Sequence, residues 1–271
     1  MSNLLLFTNK LHHYLFMKAL IDMDLVVYRC AASAETESLP VACERVEELL
    51  DNIINNSKAT EYRAFLSGRG NYRKDVYPEY KANRTAAKPQ HLQGCREYAC
   101  EVLNAEVTEN RLEADDYLGI YQTDDTIICS LDKDLLQIAG KHYQWAIRGV
   151  NWEKPDTYLE QTEIGGLRLF YEQCLKGDTS DNIKGLAGIG NAKAKKFLQD
   201  CETEQDMLAV MLEKYSHEDE FLLNAQCVWI LREFDGYYTK RYKELQDGQM
   251  ARESEDSSKP HEGLPRYGVT A

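Results

Sequence analysis

The acidic residues of this sequence fall into tight groups. Asp22 and Asp24 share "LIDMD". Glu113, Asp115 and Asp116 share "EADD". Asp132 and Asp134 share "SLDKDL", and Asp178 and Asp181 share "GDTSD". Carboxylates packed so closely repel one another unless cations neutralise them. All-oxygen donors suit hard divalent ions such as Mg²⁺ or Mn²⁺. Two such ions can activate water and stabilise the leaving oxygen of a phosphodiester. Each group alone has an ordinary explanation: acids favour the first turn of a helix, and Asp178 suits a helix cap. Taken together they point to a metal centre that hydrolyses phosphate esters. No Cys or His grouping has zinc spacing. Neither GxxxxGKS/T nor GxSxG occurs, which disfavours a P-loop NTPase and a serine hydrolase.

Two basic segments accompany the acids. Between Arg69 and Arg96 there are seven Lys or Arg against two acids, and from Lys176 to Leu198 five against two. Local patches of this kind decide nucleic-acid contact more than the net charge of -13 does. In "YPEYKANR", helical residues after Pro78 would put Lys81 and Arg84 on one face at i and i+3. Tyr77 and Tyr80 add aromatic surface of the sort on which bases stack. In "GLAGIGNAKAKKFL", glycines would let backbone N–H groups approach phosphate at a helix N-terminus.

These residues need a scaffold. "KALIDMDLVVY" reads as a buried strand ending at Asp22 and Asp24. "YRAFLSG", "TIICS" and "HYQWAI" read as further strands, and "VACERVEELLDNII" has helical spacing. Strands alternating with helices predict an α/β core with a mainly parallel sheet. Ligands bind such sheets at the carboxyl ends of the strands, where Asp22, Ser67 and Asp132 fall. From residue 165 onward the pattern is helical, with "IGGLRLFYEQCLKG" and "FLLNAQCVWILREF" as amphipathic helices. The expected organisation is an N-terminal appendage over 1–17, an α/β core over 18–164, an appended helical subdomain over 165–245, and a disordered tail over 246–271.

Hydrophobic residues make up 43% of the 271, enough for a sizeable core. No apolar run is long enough to cross a membrane, and the N-terminus lacks a secretory cleavage site. Eight scattered cysteines without CxxC spacing read as free buried thiols in a reducing cytoplasm.

The motifs "LIDMD", "YPEYKANR", "EADD", "SLDKDL" and "GDTSDNIKGLAGIGNAKAKKFL" stand in the order seen in the 5′-nuclease family, which includes flap endonucleases, the 5′-nuclease domain of bacterial DNA polymerase I and phage 5′→3′ exonucleases. The resemblance covers roughly Lys18 to Phe234 and is most like a stand-alone phage exonuclease. It implies a PIN-like core, a helical arch segment at about 69–96, and a helix-three-turn-helix motif that makes the helical subdomain over 165–245 DNA-binding. It assigns Asp22, Glu113, Asp115, Asp116, Asp132, Asp134, Asp178 and Asp181 to a site for two Mg²⁺ or Mn²⁺ ions. Lys81 and Arg84 would face the scissile phosphate, and Tyr80 would stack on a base. Gly185, Gly188, Gly190, Lys193, Lys195 and Lys196 would grip duplex DNA, with K⁺ at the turn. The implied activity is metal-dependent 5′→3′ exonuclease and flap endonuclease action on DNA, with RNA primers in hybrids as a second substrate and replication proteins as partners. Relatives usually carry an aspartate at the end of the second strand. Here Ser67 and Gly68 stand there, leaving one carboxylate fewer, with Ser67 acting through a water or Asp24 as the compensating group. Two other readings stay open: a PIN-like ribonuclease, against which "GIGNAKAKK" argues, and a non-catalytic DNA-structure-binding protein, which only Ser67 favours.

Overall fold

The computed structural model describes residues 17–149 and 152–257, with side chains to residue 248. Its centre is a six-stranded sheet in the order β3-β2-β1-β4-β5-β8. The strands are β1 (Lys18–Asp22), β2 (Glu61–Leu66), β3 (Glu106–Val107), β4 (Thr126–Cys129), β5 (Gly140–Gln144) and β8 (Thr157–Gln161). All neighbours pair in parallel except β5 with β8. The intervening β6 (Ile147–Arg148) and β7 (Glu153–Lys154) form a separate hairpin. From β1, the order runs to β2 on one side and β4 on the other. The gap above β1 and β4 is therefore the switch point, where such sheets open a crevice.

Alternation along β1 divides the core in two. Ala19 and Ile21 face one side and join a cluster with the helices α1 (Met23–Ser33), α2 (Leu39–Ser57) and α4 (Leu92–Glu101). Leu20 faces the other side, with Phe65 and Ile128. That cluster continues through α5 (Ala114–Tyr121) into α6 (Glu163–Lys176), where Phe170 and Tyr171 lie, and on to Phe221, Trp229 and Tyr238. The helical region thus shares a continuous hydrophobic core with the sheet. Its elements are α6, the hairpin β9 (Gly177–Asp178) and β10 (Ile183–Lys184), α7 (Asn191–Leu198), α8 (Glu204–Lys214), α9 (Glu218–Val228) and α10 (Tyr238–Ser257).

Several expectations need correcting. Asp24 does not lie on a strand. The strand stops at Asp22, whose side chain accepts the Leu25 N–H and starts α1. The arch segment ends in the start of α4 but is not helical just after Pro78. It holds the four-residue α3 (Arg73–Val76), then turns through 78–83, with Lys81 in the left-handed region at φ 57°. Lys81 and Arg84 therefore do not share a helical face. The helix over "FLLNAQCVWILREF" ends at Val228 rather than running on. Residues 246–257, placed in the tail, continue α10, while 258–271 lie outside the described residues. Met17 belongs to the core, its carbonyl accepting the Thr60 N–H at 2.8 Å. The rest of the appendage, residues 1–16, lies outside the described residues. All eight cysteines are free, and all but Cys100 are buried. No described helix is long and apolar enough to cross a membrane.

Candidate active site

A cleft of about 1380 Å³ opens at the carboxyl ends of β1, β2 and β4. Its wall includes Asp22, Asp24, Glu113, Asp115, Asp132, Asp134 and Asp181. Local structure explains how each is aimed. Asp22 ends β1 and caps α1, and its second oxygen accepts the Ser130 hydroxyl at 2.7 Å. Ser130, the residue after β4, also accepts the Asp132 N–H at 3.0 Å, so one hydroxyl ties two strand ends together. Glu113 and Asp115 sit at the N-terminus of α5, where acids are favoured. Asp134 begins a 3₁₀ turn and donates its N–H to Asp132 at 2.9 Å.

The acids titrate unlike free carboxyls. Burial, with Asp24 and Asp132 nearby, pushes Asp22 up to about 7. Burial together with Asp22, Asp132 and Glu113 drives Asp115 well above its usual range. Burial, Asp132 and Asp178 raise Asp134 to about 7. Mutual repulsion therefore links acids from β1, α5, the β4 end and the β9 hairpin. Burial would raise Glu113 as well, but Lys81 and Arg73 beside it hold it down to about 2.

Lys81 and Arg84 are already engaged with acids. Lys81 Nζ stands 2.5 Å from Glu113 Oε1 and 3.6 Å from Asp181 Oδ2. Arg84 pairs with Asp181. Backbone contacts reinforce this: the Lys81 N–H donates to the Asp181 carbonyl, and Asn83 donates to the Thr179 carbonyl at 2.7 Å. The turn at 79–84 is thereby fastened across the mouth of the cleft onto the loop at 179–182. Tyr80 is not a free stacking surface. It is 2% exposed, and its hydroxyl joins Glu113 Oε2 to Asp181 Oδ2 at 2.9 Å each.

Two acids expected at the metal site have other partners. Asp116 is fully buried and outside the cleft wall. It pairs bidentately with Arg73 at 2.7 and 2.8 Å and accepts the backbone N–H groups of Glu113 and Leu231. A carboxylate so used has no face left for the cleft. Asp178 also sits behind the wall, accepting the Ser180 N–H and hydroxyl on one oxygen and the Gln173 amide on the other. Burial would raise it, but these hydrogen bonds hold it below its usual range.

At the end of β2, Ser67 has three engagements. Its hydroxyl accepts the Ala114 N–H at 2.9 Å, its N–H donates to Asp24 Oδ2 at 2.8 Å, and its carbonyl accepts from Arg96 at 2.6 Å. Arg96 also pairs with Asp24. Asp24 is thus clamped beside Ser67, the position at which the resemblance leads one to expect an acid. Sequence reasoning missed Arg73, Arg96 and Gln173. Arg73 and Arg96 carried a weak signal as cations within the arch segment, while Gln173 carried none.

The residues expected to grip duplex DNA lie outside the cleft wall. Gly188 has φ 73°, the left-handed region that favours glycine. At Gly185 a side chain would strike the backbone of Lys176, at 2.0 Å. Gly190 precedes α7 and has open space around it. Lys193, Lys195 and Lys196 are all exposed on α7, whose Ala194 and Leu198 are buried.

A sequence profile of the 5′-3′ exonuclease N-terminal resolvase-like domain matches residues 18–164, more than half of the chain. The chain belongs to the 5′-3′ exonuclease family. Among curated relatives, the 5′-3′ exonuclease of Bacillus subtilis is 30% identical over 155 residues, 52% of each chain. The DNA polymerase I of Chloroflexus aurantiacus is 35% identical over 154 residues, 50% of this chain and 16% of the polymerase. The chain spans about half the length of the Bacillus relative and a small part of the polymerase. Two bacteriophage T5 structures share the fold. The T5 5′-exonuclease with zinc ions has a TM-score of 0.55 at 14% identity, over 78% of this chain and 86% of that one. The T5 flap endonuclease with DNA and metal ions has a TM-score of 0.54 at 15% identity, over 78% and 84%.

The donor set of this family member fits a hard divalent cation in kind, being all carboxylate oxygen. In posture, no three acidic, imidazole or thiol groups among the described residues converge on one point. Lys81 and Arg84 supply the positive charge that Glu113 and Asp181 require.

Proposed function

We propose that this protein is a divalent-metal-dependent 5′ nuclease. It hydrolyses phosphodiester bonds near the 5′ ends of DNA, both as a 5′→3′ exonuclease and as a structure-specific flap endonuclease. RNA primers in hybrids are a second substrate. The observation that carries this reading is the meeting, in one cleft, of acids from three segments of the α/β core with Asp181 from the β9–β10 loop and with the cations Lys81 and Arg84. Asp22, Asp115, Asp132 and Asp134, joined by Glu113 and Asp181, would hold two Mg²⁺ or Mn²⁺ ions. Bound there, the metal supplies a nucleophile at neutral pH and charge stabilisation for the leaving oxygen.

The chain's own residues do the remainder. Lys81 and Arg84, once released from Glu113 and Asp181, meet the scissile phosphate and stabilise the charge that develops on it. The turn at Gly188 and Gly190 would hold K⁺ and, with the exposed Lys193, Lys195 and Lys196, would contact the duplex backbone. Such contacts position DNA without reading its sequence.

The test is incubation of the full chain with a 5′-labelled flap duplex. Cleavage in Mg²⁺, lost in EDTA and in Asp132→Ala with duplex binding retained, is the expected result. Cleavage that persists in excess EDTA overturns the metal-dependent reading.

A further inference from the structure

Behind the second acidic group lies a pair of buried amides. Gln137 is 2% exposed and Gln173 is 6% exposed. Gln137 Nε2 donates to the Val228 carbonyl at 3.1 Å and to Gln173 Oε1 at 2.9 Å. A backbone carbonyl can only accept, so the Val228 contact fixes which way the Gln137 amide points. Gln137 must then present its NH₂ to Gln173, which must answer with its oxygen. That leaves the Gln173 NH₂ directed at Asp178 Oδ2, 2.9 Å away, with Asp134 also within its reach. The orientation is reached by a chain of single choices. It costs one orphan: Gln137 Oε1 is the one fully buried side-chain polar atom without a partner among the described residues. Leaving such an atom unsatisfied is unfavourable, so the arrangement stands on what the two NH₂ groups achieve.

Asp134 follows β4 and Asp178 sits on the β9 hairpin beyond α6. The charge of Asp178 helps to raise Asp134, while a side-chain hydrogen bond with Asp134 helps to lower Asp178. A neutral amide holds Asp178 beside Asp134 without neutralising either, which a lysine would do. Gln173 also lines the cleft, whereas Gln137 does not.

We infer that Gln173 is a positioning residue, held in one orientation by Gln137, that fixes Asp178 behind the cleft wall and so sets the placement of the neighbouring Asp134 carboxylate for divalent-cation binding. This rests on the proposed metal-dependent reading of the cleft. Partners that orient ligand groups from behind commonly change metal affinity ten- to a hundredfold when removed.

The experiment is Ca²⁺ titration by calorimetry on the full chain, in the absence of DNA. Wild type, Gln173→Met and Gln137→Met are compared, with thermal unfolding of each in EDTA. Both substitutions keep volume and remove the amide. The expected result is Ca²⁺ affinity weakened by about tenfold in Gln173→Met and weakened in the same direction in Gln137→Met, which reaches the cleft only through Gln173. Melting that falls while Ca²⁺ affinity stays at the wild-type value in Gln137→Met overturns the inference, because the amides are then structural alone. So does unchanged affinity in both variants. Failure of the wild type to take up Ca²⁺ overturns the cation site itself, a distinct result. If Gln173→Met does not fold, Gln137→Met decides.

Discussion

Removing Arg73 tests whether Asp116 is a buried structural partner rather than a cation ligand. Arg73 is 2% exposed and Asp116 fully buried. The guanidinium makes two hydrogen bonds to Asp116, at 2.7 and 2.8 Å, and donates to the Cys227 and Trp229 carbonyls at 3.1 and 2.6 Å. Arg73→Met keeps much of the volume and strands a carboxylate in the interior. Breaking a buried pair from one side costs about 3–5 kcal/mol, and two carbonyls losing their donors add about 1–3 kcal/mol each. Relaxation and water entry offset part of that, so a loss of about 5 kcal/mol is expected. At about 2–4 °C per kcal/mol for a chain of this size, the melting midpoint falls by about 10–20 °C. The double variant Arg73→Met, Asp116→Leu removes both charges, and replacing a whole buried pair is often near neutral. It should recover about half of the loss; the rest remains because the carbonyls and the Glu113 and Leu231 N–H groups stay unpaired. The measurement is denaturant unfolding of wild type, both single variants and the double variant in EDTA. A cost below about 1 kcal/mol for Arg73→Met, or a double variant as unstable as the sum of the singles, refutes the reasoning.

Three further outcomes are expected. Asp22 and Asp134 have folded values near 7 against an ordinary 3.8. Both are raised, so their ionisation opposes folding and stability from this source falls as pH climbs from about 4 to 7. Mg²⁺ should therefore raise the melting midpoint more at pH 8 than at pH 6, and an equal shift at both would count against the carboxylates as its site. Adding Ca²⁺ should speed hydrogen exchange at the Lys81 amide, which donates to the Asp181 carbonyl, because a competing cation frees Lys81 from Glu113; unchanged or slower exchange would mean the turn does not compete with cations. Replacing Lys193, Lys195 and Lys196 by Ala should weaken duplex binding on every sequence and flatten its salt dependence, with a slope change of about one per lost phosphate contact; an unaltered slope would remove these lysines from the interface.

The acids at strand ends and helix starts were legible in the sequence because their positions follow local rules. A short apolar run such as "KALID" becomes a buried strand, and the crevice of a parallel sheet opens at its carboxyl end. Hence Asp22, Asp115, Asp132 and Asp134 could be named before any coordinates. The glycine-rich turn was legible as a turn, while the positive φ of Gly188 came from the structure. Membership of the family was legible from the order of the motifs.

Which acid faces the cleft was decided only by the tertiary structure. Asp115 and Asp116 are neighbours at the same helix start, yet one lies against Asp22 and Asp132 while the other is enclosed by Arg73. Adjacent helical residues point about 100° apart, and which direction is inward depends on what packs there. The same holds for Tyr80, Lys81 and Arg84. Their spacing suggested a helix, but contacts with a loop about 100 residues later, through Asp181, bend them into a turn. Gln173 had no sequence signal because its orientation is set by Gln137, itself fixed by the Val228 carbonyl, and only folding brings the three together. Local sequence determined where charge could stand in this protein; long-range packing determined which charges meet.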